Sequence, residues 1–214
     1  MQRQKSSTLV VLFLIFVALG VSAYYYPILP EKMVTHWGAG GEPNGFTGKS
    51  FGAFMIPVMI AVLFLLFQFL PMIDPLARNY KKFRKYYNGF IVAITAFLFY
   101  VHALMILWNV GVRFNMSTLM IIPIAALFFF IGVLLDHVEQ NWFVGIRTPW
   151  TLSSKEVWSK TNKMGATLFK FAGLIALVGL FFGENGIFFV VIPAVSVAFY
   201  TIIYSYFVYR KTKK

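Results

Sequence analysis

Residues 117–135 read STLMIIPIAALFFFIGVLL, a run without a charged side chain. Such a run approaches the ~20 apolar residues that a helix needs to cross the hydrocarbon core of a bilayer. Five further runs of this kind occur along the chain, at Thr8–Tyr26, Phe51–Leu70, Asn88–Val110, Gly165–Phe182 and Ile187–Tyr209. The sequence therefore predicts an all-α, polytopic membrane protein with six transmembrane helices.

The composition agrees with this class. Of the 214 residues, 59% are hydrophobic, 12% are charged and 25 are Phe, which is more apolar surface than a soluble domain buries. The absence of Cys excludes disulfides, thiolate metal ligands and Cys nucleophiles.

The first run has the form of a signal peptide, because Arg3 and Lys5 precede it and Val21-Ser22-Ala23 is suited to cleavage. We interpret it as an uncleaved first helix.

The basic residues, which give a net charge of +12, predict the orientation under the positive-inside rule. If the N-terminus is inside, the outer loops hold only Lys32, Lys49 and Arg113. The inner segments hold Arg3, Lys5, Arg78, Lys81, Lys82, Arg84, Lys85, Arg147, Lys155, Lys160, Lys163, Arg210, Lys211, Lys213 and Lys214. We therefore predict cytoplasmic termini and a basic inner face that meets the lipid bilayer, without direct binding of nucleic acid.

This topology divides the chain into three segments. Residues 1–70 form an N-terminal module with two transmembrane helices and the long outer loop, Pro27–Ser50. Residues 71–116 contain a basic inner loop and the third helix, and residues 117–214 form a C-terminal module with three transmembrane helices and the second inner loop, Asp136–Met164. Function is expected in the long loops.

An Ile-Pro pair occurs in each of the three helices that run inward, at Ile56-Pro57, Ile122-Pro123 and Ile192-Pro193. Proline removes a backbone donor and bends a helix, so three kinks at a similar depth could open an external vestibule. The alternative, which we favour, is that proline is simply frequent in membrane helices.

The outer loop contains His36-Trp37 and then Pro43-Asn44-Gly45, which predicts a turn because Asn and Gly tolerate positive φ. His36 and Trp37 could form a recognition surface with Trp37 as its apolar anchor. Equally, Trp37 could belong to the interfacial aromatic belt. A metal site is disfavoured, because His36 has only Glu31 and Glu42 as nearby acidic partners.

The second inner loop concentrates unusual residues in 141–152, the stretch NWFVGIRTPWTL, called the signature loop from here on. Arg147 offers a planar fork of donors, and Thr148 and Thr151 offer hydroxyls on either side of Pro149, so the loop could hold a carboxylate or a phosphate. It could also be a structural plug, which we favour. Ser153-Ser-Lys-Glu156 has the form of a capping box and predicts that helix resumes at Ser153.

A functional alternative places a membrane enzyme or a small-molecule or lipid transporter at this loop. Arg147 would bind an anion, and Asp136 or Glu139 would act as a base. The chain lacks a Gly-rich phosphate loop and any metal-binding motif, and little charge lies within the membrane. His102 is the only ionisable residue far from both ends of a helix, and we expect it to bond a neighbouring helix rather than relay protons. We predict no catalytic residue, no metal and no cofactor.

Two segments resemble the SdpI family of bacterial membrane proteins, named for immunity to a sporulation-delaying peptide toxin. The outer segment is Pro27-x-x-Pro30, His36-Trp37 and Gly41-x-Pro43-Asn44-Gly45. The inner segment comprises Asn141, Gly145, Arg147, Thr148, Pro149, Trp150, Thr151, Leu152, Val157, Trp158, Thr161 and Asn162. The resemblance implies a multi-pass immunity protein in a bacterial cell membrane that protects against a secreted, membrane-active peptide toxin.

The resemblance also implies partners on both faces. His36, Trp37, Pro43, Asn44 and Gly45 are the candidates for recognition of the toxin outside the cell. A small helix-turn-helix repressor is the candidate partner inside, held at the membrane when toxin is engaged. The inner motif would then be either a signalling surface or a structural element: Asn141, Gly145, Arg147, Thr148, Pro149, Trp150, Thr151, Trp158 and Asn162.

Overall fold

A computed structural model describes the backbone of residues 2–213 and the side chains of residues 6–213. The side chains of Arg3, Lys5 and Lys214 therefore lie outside the described residues. The helices are α1 (Gln2–Tyr25), α2 (Lys49–Ile73), α3 (Tyr80–Asn109), α4 (Met116–His137), α5 (Pro149–Ser153), α6 (Lys155–Val178) and α7 (Phe188–Thr212). Six of them, all but the short α5, are long and apolar enough to cross a membrane. The predicted all-α class with six transmembrane helices is confirmed.

The six long helices pack as two groups. α3 contacts both α1 and α2, α6 contacts both α4 and α7, and α3 also packs on α4. Glycine permits the close approach of α4 and α6, because a Cβ on Gly132 would lie 2.7 Å from the Ala166 carbonyl and one on Gly173 would lie 2.8 Å from the Ala125 carbonyl. Small residues commonly bring membrane helices together in this way. The two groups are thus each built around one central helix.

Prolines of the three Ile-Pro pairs lie inside long helices. Pro57 is in α2, Pro123 is in α4 and Pro193 is in α7. Each removes one backbone donor from its helix. A vestibule opened by these three residues remains a prediction.

Most of the predicted outer loop folds into an antiparallel hairpin of β1 (Lys32–Trp37) and β2 (Pro43–Gly48). The predicted turn at Pro43-Asn44-Gly45 is wrong, because these residues lie in β2. The turn is made instead at 38–41, where the Gly41 amide donates to the Gly38 carbonyl at 3.0 Å and Gly41 has φ +90°. Glycine adopts this conformation without steric cost.

The predicted helix start at Ser153 is also wrong. The short helix α5 precedes it, with Pro149 in the first turn and a reciprocal capping box between Thr148 and Thr151. α6 then begins at Lys155 with Ser154 as its N-cap. Glu156 does not reach back to a cap, because its carboxylate pairs with Lys160 at 2.6 Å.

Candidate functional site

The hairpin is attached to α3 through Asn109. The side-chain amide of Asn109 accepts a hydrogen bond from the Val34 N–H at 2.8 Å and donates one to the Val34 carbonyl at 2.9 Å. Asn109 thereby satisfies both backbone groups of a strand residue, as a neighbouring strand would. Beneath it, Met33 and Leu29 are buried against Ala53 and Ile106. The hairpin is consequently fixed across one end of the bundle.

The turn of the hairpin rests on the first residues of α4. Asn115 Nδ2 donates to the Gly40 carbonyl at 2.8 Å, and Ser117 Oγ donates to the Gly38 carbonyl at 3.1 Å. Asn115 is also the N-cap of α4, where its Oδ1 accepts from the Thr118 amide at 2.9 Å. One side chain therefore caps a membrane helix and holds the hairpin turn.

The five predicted recognition residues lie together on this hairpin. His36 pairs with Gly45 and Trp37 pairs with Pro43 in the strand register. The exposed His36 donates from Nδ1 to Asn44 Oδ1 at 2.5 Å, since the amide oxygen can only accept. Gly45 is required opposite His36, because a Cβ there would lie 2.7 Å from the His36 Cβ.

Trp37 is half-buried and packs edge-on against Trp108, with 5.9 Å between ring centroids. Its indole N–H is buried and has no hydrogen-bond partner among the described residues. A buried indole N–H usually finds a partner. Trp37 thus combines the packing role of a core aromatic side chain with an unused donor.

A cavity of about 380 Å³ lies between one side of the hairpin and the bundle. One wall is the hairpin, at Thr35, His36, Trp37, Gly38 and Ala39. The facing wall is mainly apolar and includes Met116, Met120, Ile124 and Ile187. Methionine side chains adapt readily to irregular apolar groups. The arrangement can therefore accept an apolar side chain beside the exposed imidazole.

The opposite end of the bundle carries the signature loop, organised around the fully buried Asn141. Its Oδ1 accepts from the amides of Phe143 at 2.9 Å and Val144 at 2.7 Å, and from the Tyr80 hydroxyl at 3.2 Å. Its Nδ2 donates to the carbonyls of Glu139 and Val144. Both ends of the amide are therefore used to shape the loop.

Asp74 joins the α2–α3 connection to the signature loop. Its Oδ2 accepts from the Trp142 amide at 2.9 Å and from the Tyr80 hydroxyl at 3.3 Å, while Oδ1 accepts from the Leu76 amide at 2.7 Å. The residue is only 4% exposed, and none of the basic side chains described forms an ion pair with it. Two backbone amides, and the Tyr80 hydroxyl whose single proton is shared with Asn141 Oδ1, surround this carboxylate in place of a counter-ion.

Asn162 and Trp158 of α6 support the middle of the loop. Asn162 Oδ1 accepts from the Ile146 amide at 2.9 Å, and the Trp158 indole donates to the Val138 carbonyl at 3.0 Å. Gly145 lies against both side chains with φ +114°, and a Cβ there would lie 2.9 Å from Asn162 Oδ1. A side chain at Gly145 would strain the backbone as well as displace Asn162.

Hydrogen bonds tie the loop and the residue before it to α7 and to Asn79, which precedes α3. Thr148 Oγ1 lies 3.1 Å from Ser205 Oγ, and Thr151 Oγ1 donates to the Ile146 carbonyl at 3.0 Å. The side-chain amide of Gln140 donates to the Thr151 and Leu152 carbonyls. The backbone carbonyl of Gln140 accepts from Asn79 Nδ2 at 2.6 Å. Hydrogen bonds thus close the loop from both sides.

Other members of the motif stay at the surface. Arg147 and Pro149 are exposed, and Arg147 donates from Nη1 to the Trp142 carbonyl at 2.8 Å. Trp150 is half-buried against Tyr206, with ring centroids 5.2 Å apart. The motif therefore has a buried part that holds the fold and an exposed part around Arg147.

The candidate bases of the enzyme alternative are engaged in ion pairs. Asp136 pairs with Lys170 at 3.0 Å and Glu139 pairs with Lys82 at 3.6 Å. Within the part of the chain described, no three His or acidic side chains form a group that could hold a metal ion. Neither carboxylate forms an ion pair with Arg147 that would support an acid–base site.

His102 lies buried between α1, α2 and α3. Its Nε2 is 3.2 Å from the Ala18 carbonyl and 3.1 Å from Ser22 Oγ, which donates to the Ala53 carbonyl at 2.6 Å. Because a carbonyl only accepts, Nε2 carries the proton in the neutral ring. Nδ1 has no partner among the described atoms. This geometry joins three helices.

Sequence reasoning missed the residues that fix the two ends. Asn109 and Asn115 stand at the end of one helix and the start of the next, and Asp74 stands between two prolines, where it indicated only a turn. Each makes its decisive contact with a segment far away in sequence. A polar residue at the end of a predicted helix is a signal of such a contact, but the sequence does not reveal which distant segment the residue contacts.

Both segments quoted in the sequence analysis lie within regions that match known protein families or domains. Residues 137–205 match the SdpI/YfhL protein family, and residues 13–61 match a domain of unknown function, DUF1648. The chain is 25% identical over 191 residues to the Immunity protein SdpI of Bacillus subtilis (strain 168), which covers 89% of each protein. No solved structure matches the chain. These matches confirm the resemblance to the SdpI/YfhL family. With its six spanning helices, the chain is a multi-pass protein of a bacterial membrane.

Proposed function

We propose that this protein is an immunity protein that protects a bacterial cell from a secreted, membrane-active peptide toxin. The relative named above, an immunity protein aligned over most of both chains, supports the proposal. The structural observation that carries it is the hairpin fixed across one end of the bundle, with exposed His36 beside an apolar cavity. The three segments 1–70, 71–116 and 117–214 are proposed as its organisation.

The hairpin end is the proposed outer face. Its basic residues are Lys32, Lys49 and Arg113, and they contact the aromatic rings of Phe46, Tyr26 and Trp108 respectively. The other end is rich in Lys and Arg, including the first turns of α3 and the last turn of α7. Positive charge is retained on the cytoplasmic side of membrane proteins. Toxin arriving from outside would then meet the hairpin first.

Toxin is proposed to contact His36, Trp37, Pro43, Asn44 and Gly45. An apolar side chain of the peptide would enter the cavity between the hairpin and Met116 and Met120, and the imidazole would contact its polar backbone. The test is survival of a toxin-sensitive strain that expresses the protein, measured over a toxin series. His36→Ala should reduce protection, and Glu184→Ala, an exposed change at the same end, should not.

Membrane abundance must be equal in this test, since a fall in protein would imitate a loss of contact. Immunoblots of membrane fractions provide that control. Absence of protection by the unaltered chain against every related peptide toxin would refute the immunity function. Full protection by His36→Ala would refute the proposed contact while leaving the immunity function standing.

The exposed part of the signature loop is the proposed contact for a cytoplasmic helix-turn-helix repressor. Arg147 and Pro149 are exposed although most of their neighbours in the motif are buried, which leaves them free to meet a partner. Arg147→Ala should abolish toxin-dependent reporter expression and leave survival unchanged. Trp150→Ala is a weaker test, because Trp150 packs on Tyr206. An unchanged reporter response in Arg147→Ala would contradict this contact.

A further inference from the structure

A groove of about 520 Å³ lies at the signature-loop end and is walled by both helix groups. Its lining includes Phe67 of α2, Phe90 of α3, Ile131 of α4, Ile202 of α7, and Phe143 and Ile146 of the loop. Such a volume lies within the range of roughly 300–1,000 Å³ that is typical of ligand pockets. The walls are predominantly hydrocarbon, so the groove suits an acyl chain.

A cation with unused donors stands beside this groove. Arg147 follows Ile146 directly, and its guanidinium donates to the carbonyl of Trp142, the neighbour of Phe143. A guanidinium has five N–H donors, and the structure describes one bond from this group. No described carboxylate forms an ion pair with it. The exposed Arg147 can therefore hold an anion.

The surroundings of this cation fit a lipid headgroup. Trp142 is 51% exposed, and exposed Trp is typical of the boundary between headgroups and acyl chains.

We propose that the groove binds one acyl chain of an anionic phospholipid whose phosphate is held by Arg147. The occupant is identified by its surroundings and by charge, since the walls belong to membrane-spanning helices and the polar group at the rim is cationic. Arginine and phosphate form strong, charge-assisted hydrogen bonds. The site is independent of the proposed toxin contact, and it shares Arg147 with the proposed repressor contact.

The test is native mass spectrometry of the full chain in detergent, titrated with phosphatidylglycerol or with phosphatidylcholine of the same acyl chains. Arg147→Gln removes the cation, and Ala198→Phe fills the groove from an exposed position in its lining. Lys163→Gln and Val195→Phe are matched controls, because they make the same kinds of change at exposed residues outside the groove lining.

Phosphatidylglycerol is expected to bind about tenfold more tightly than phosphatidylcholine, because the choline ammonium of phosphatidylcholine offsets the phosphate charge that attracts Arg147. Arg147→Gln should remove this preference but retain phosphatidylcholine binding. Ala198→Phe should weaken the binding of both lipids. Equal binding of the two lipids by the unaltered protein would overturn the proposal. The proposal would also be overturned if Arg147→Gln lost affinity for both lipids equally, or if the two variants bound lipid as their controls do.

Discussion

The carboxylate of Asp74 accepts a hydrogen bond from the backbone N–H of Trp142 at 2.9 Å, joining residues 68 positions apart. This contact connects the α2–α3 connection to the signature loop. A buried carboxylate without a counter-ion is costly unless several donors surround it. The fold supplies two backbone amides and the Tyr80 hydroxyl that Asp74 shares with Asn141, which makes the loop and Asp74 dependent on each other.

Asp74→Asn should destabilise the protein by about 1.5–3 kcal/mol, because hydrogen bonds to a charged acceptor are lost while the size of the side chain is kept. The measurement is thermal unfolding in detergent. Glu139→Gln is the control, since its ion pair with Lys82 is exposed and such pairs contribute about 0–1 kcal/mol. Equal melting temperatures for both variants would show that Asp74 acts only as a turn residue.

Asn141→Asp should open the signature loop to proteases. The change replaces the Nδ2 donor with an oxygen that faces the Glu139 and Val144 carbonyls, so two bonds become repulsions. We expect a loss of about 1–3 kcal/mol and faster limited proteolysis between α4 and α6. Asn185→Asp, at an exposed position of the opposite end, should leave the cleavage rate unchanged.

Gly145→Ala tests the backbone of the same loop. The positive φ and the approach to Asn162 should together cost about 1–3 kcal/mol in the free energy of unfolding. Gly89→Ala in α3 is the matched control, because a Cβ there meets no atom within 4 Å and Ala favours a helix. If both substitutions have the same effect on stability, the loop does not require glycine.

Asn109→Leu should release the hairpin from α3 while filling a similar volume. Both bonds to Val34 are lost, so the β1 amides should exchange hydrogen faster with solvent. Mass-spectrometric hydrogen exchange on peptides that span 32–48 measures this effect. The exposed Asn185→Leu is the comparison at the same end, and unchanged exchange in Asn109→Leu would contradict the docking role.

The helices could be predicted from the sequence because each long apolar run must form hydrogen bonds among its own backbone groups inside a membrane. The hairpin was not, since Pro43-Asn44-Gly45 has turn chemistry, yet Gly41 makes the turn and Asn109 pairs with β1 from another element. The division of the signature motif also needed the structure. Arg147 and Asn141 are both polar, and only packing distinguishes an exposed side chain from a buried one.

The central proposal separates an outer recognition face from an inner loop that holds the fold. Its most direct test is survival across a toxin series in a sensitive strain that carries His36→Ala or Arg147→Ala at matched membrane abundance. We predict that His36→Ala loses protection and that Arg147→Ala retains it. Loss of protection in Arg147→Ala with full protection in His36→Ala would contradict the proposal.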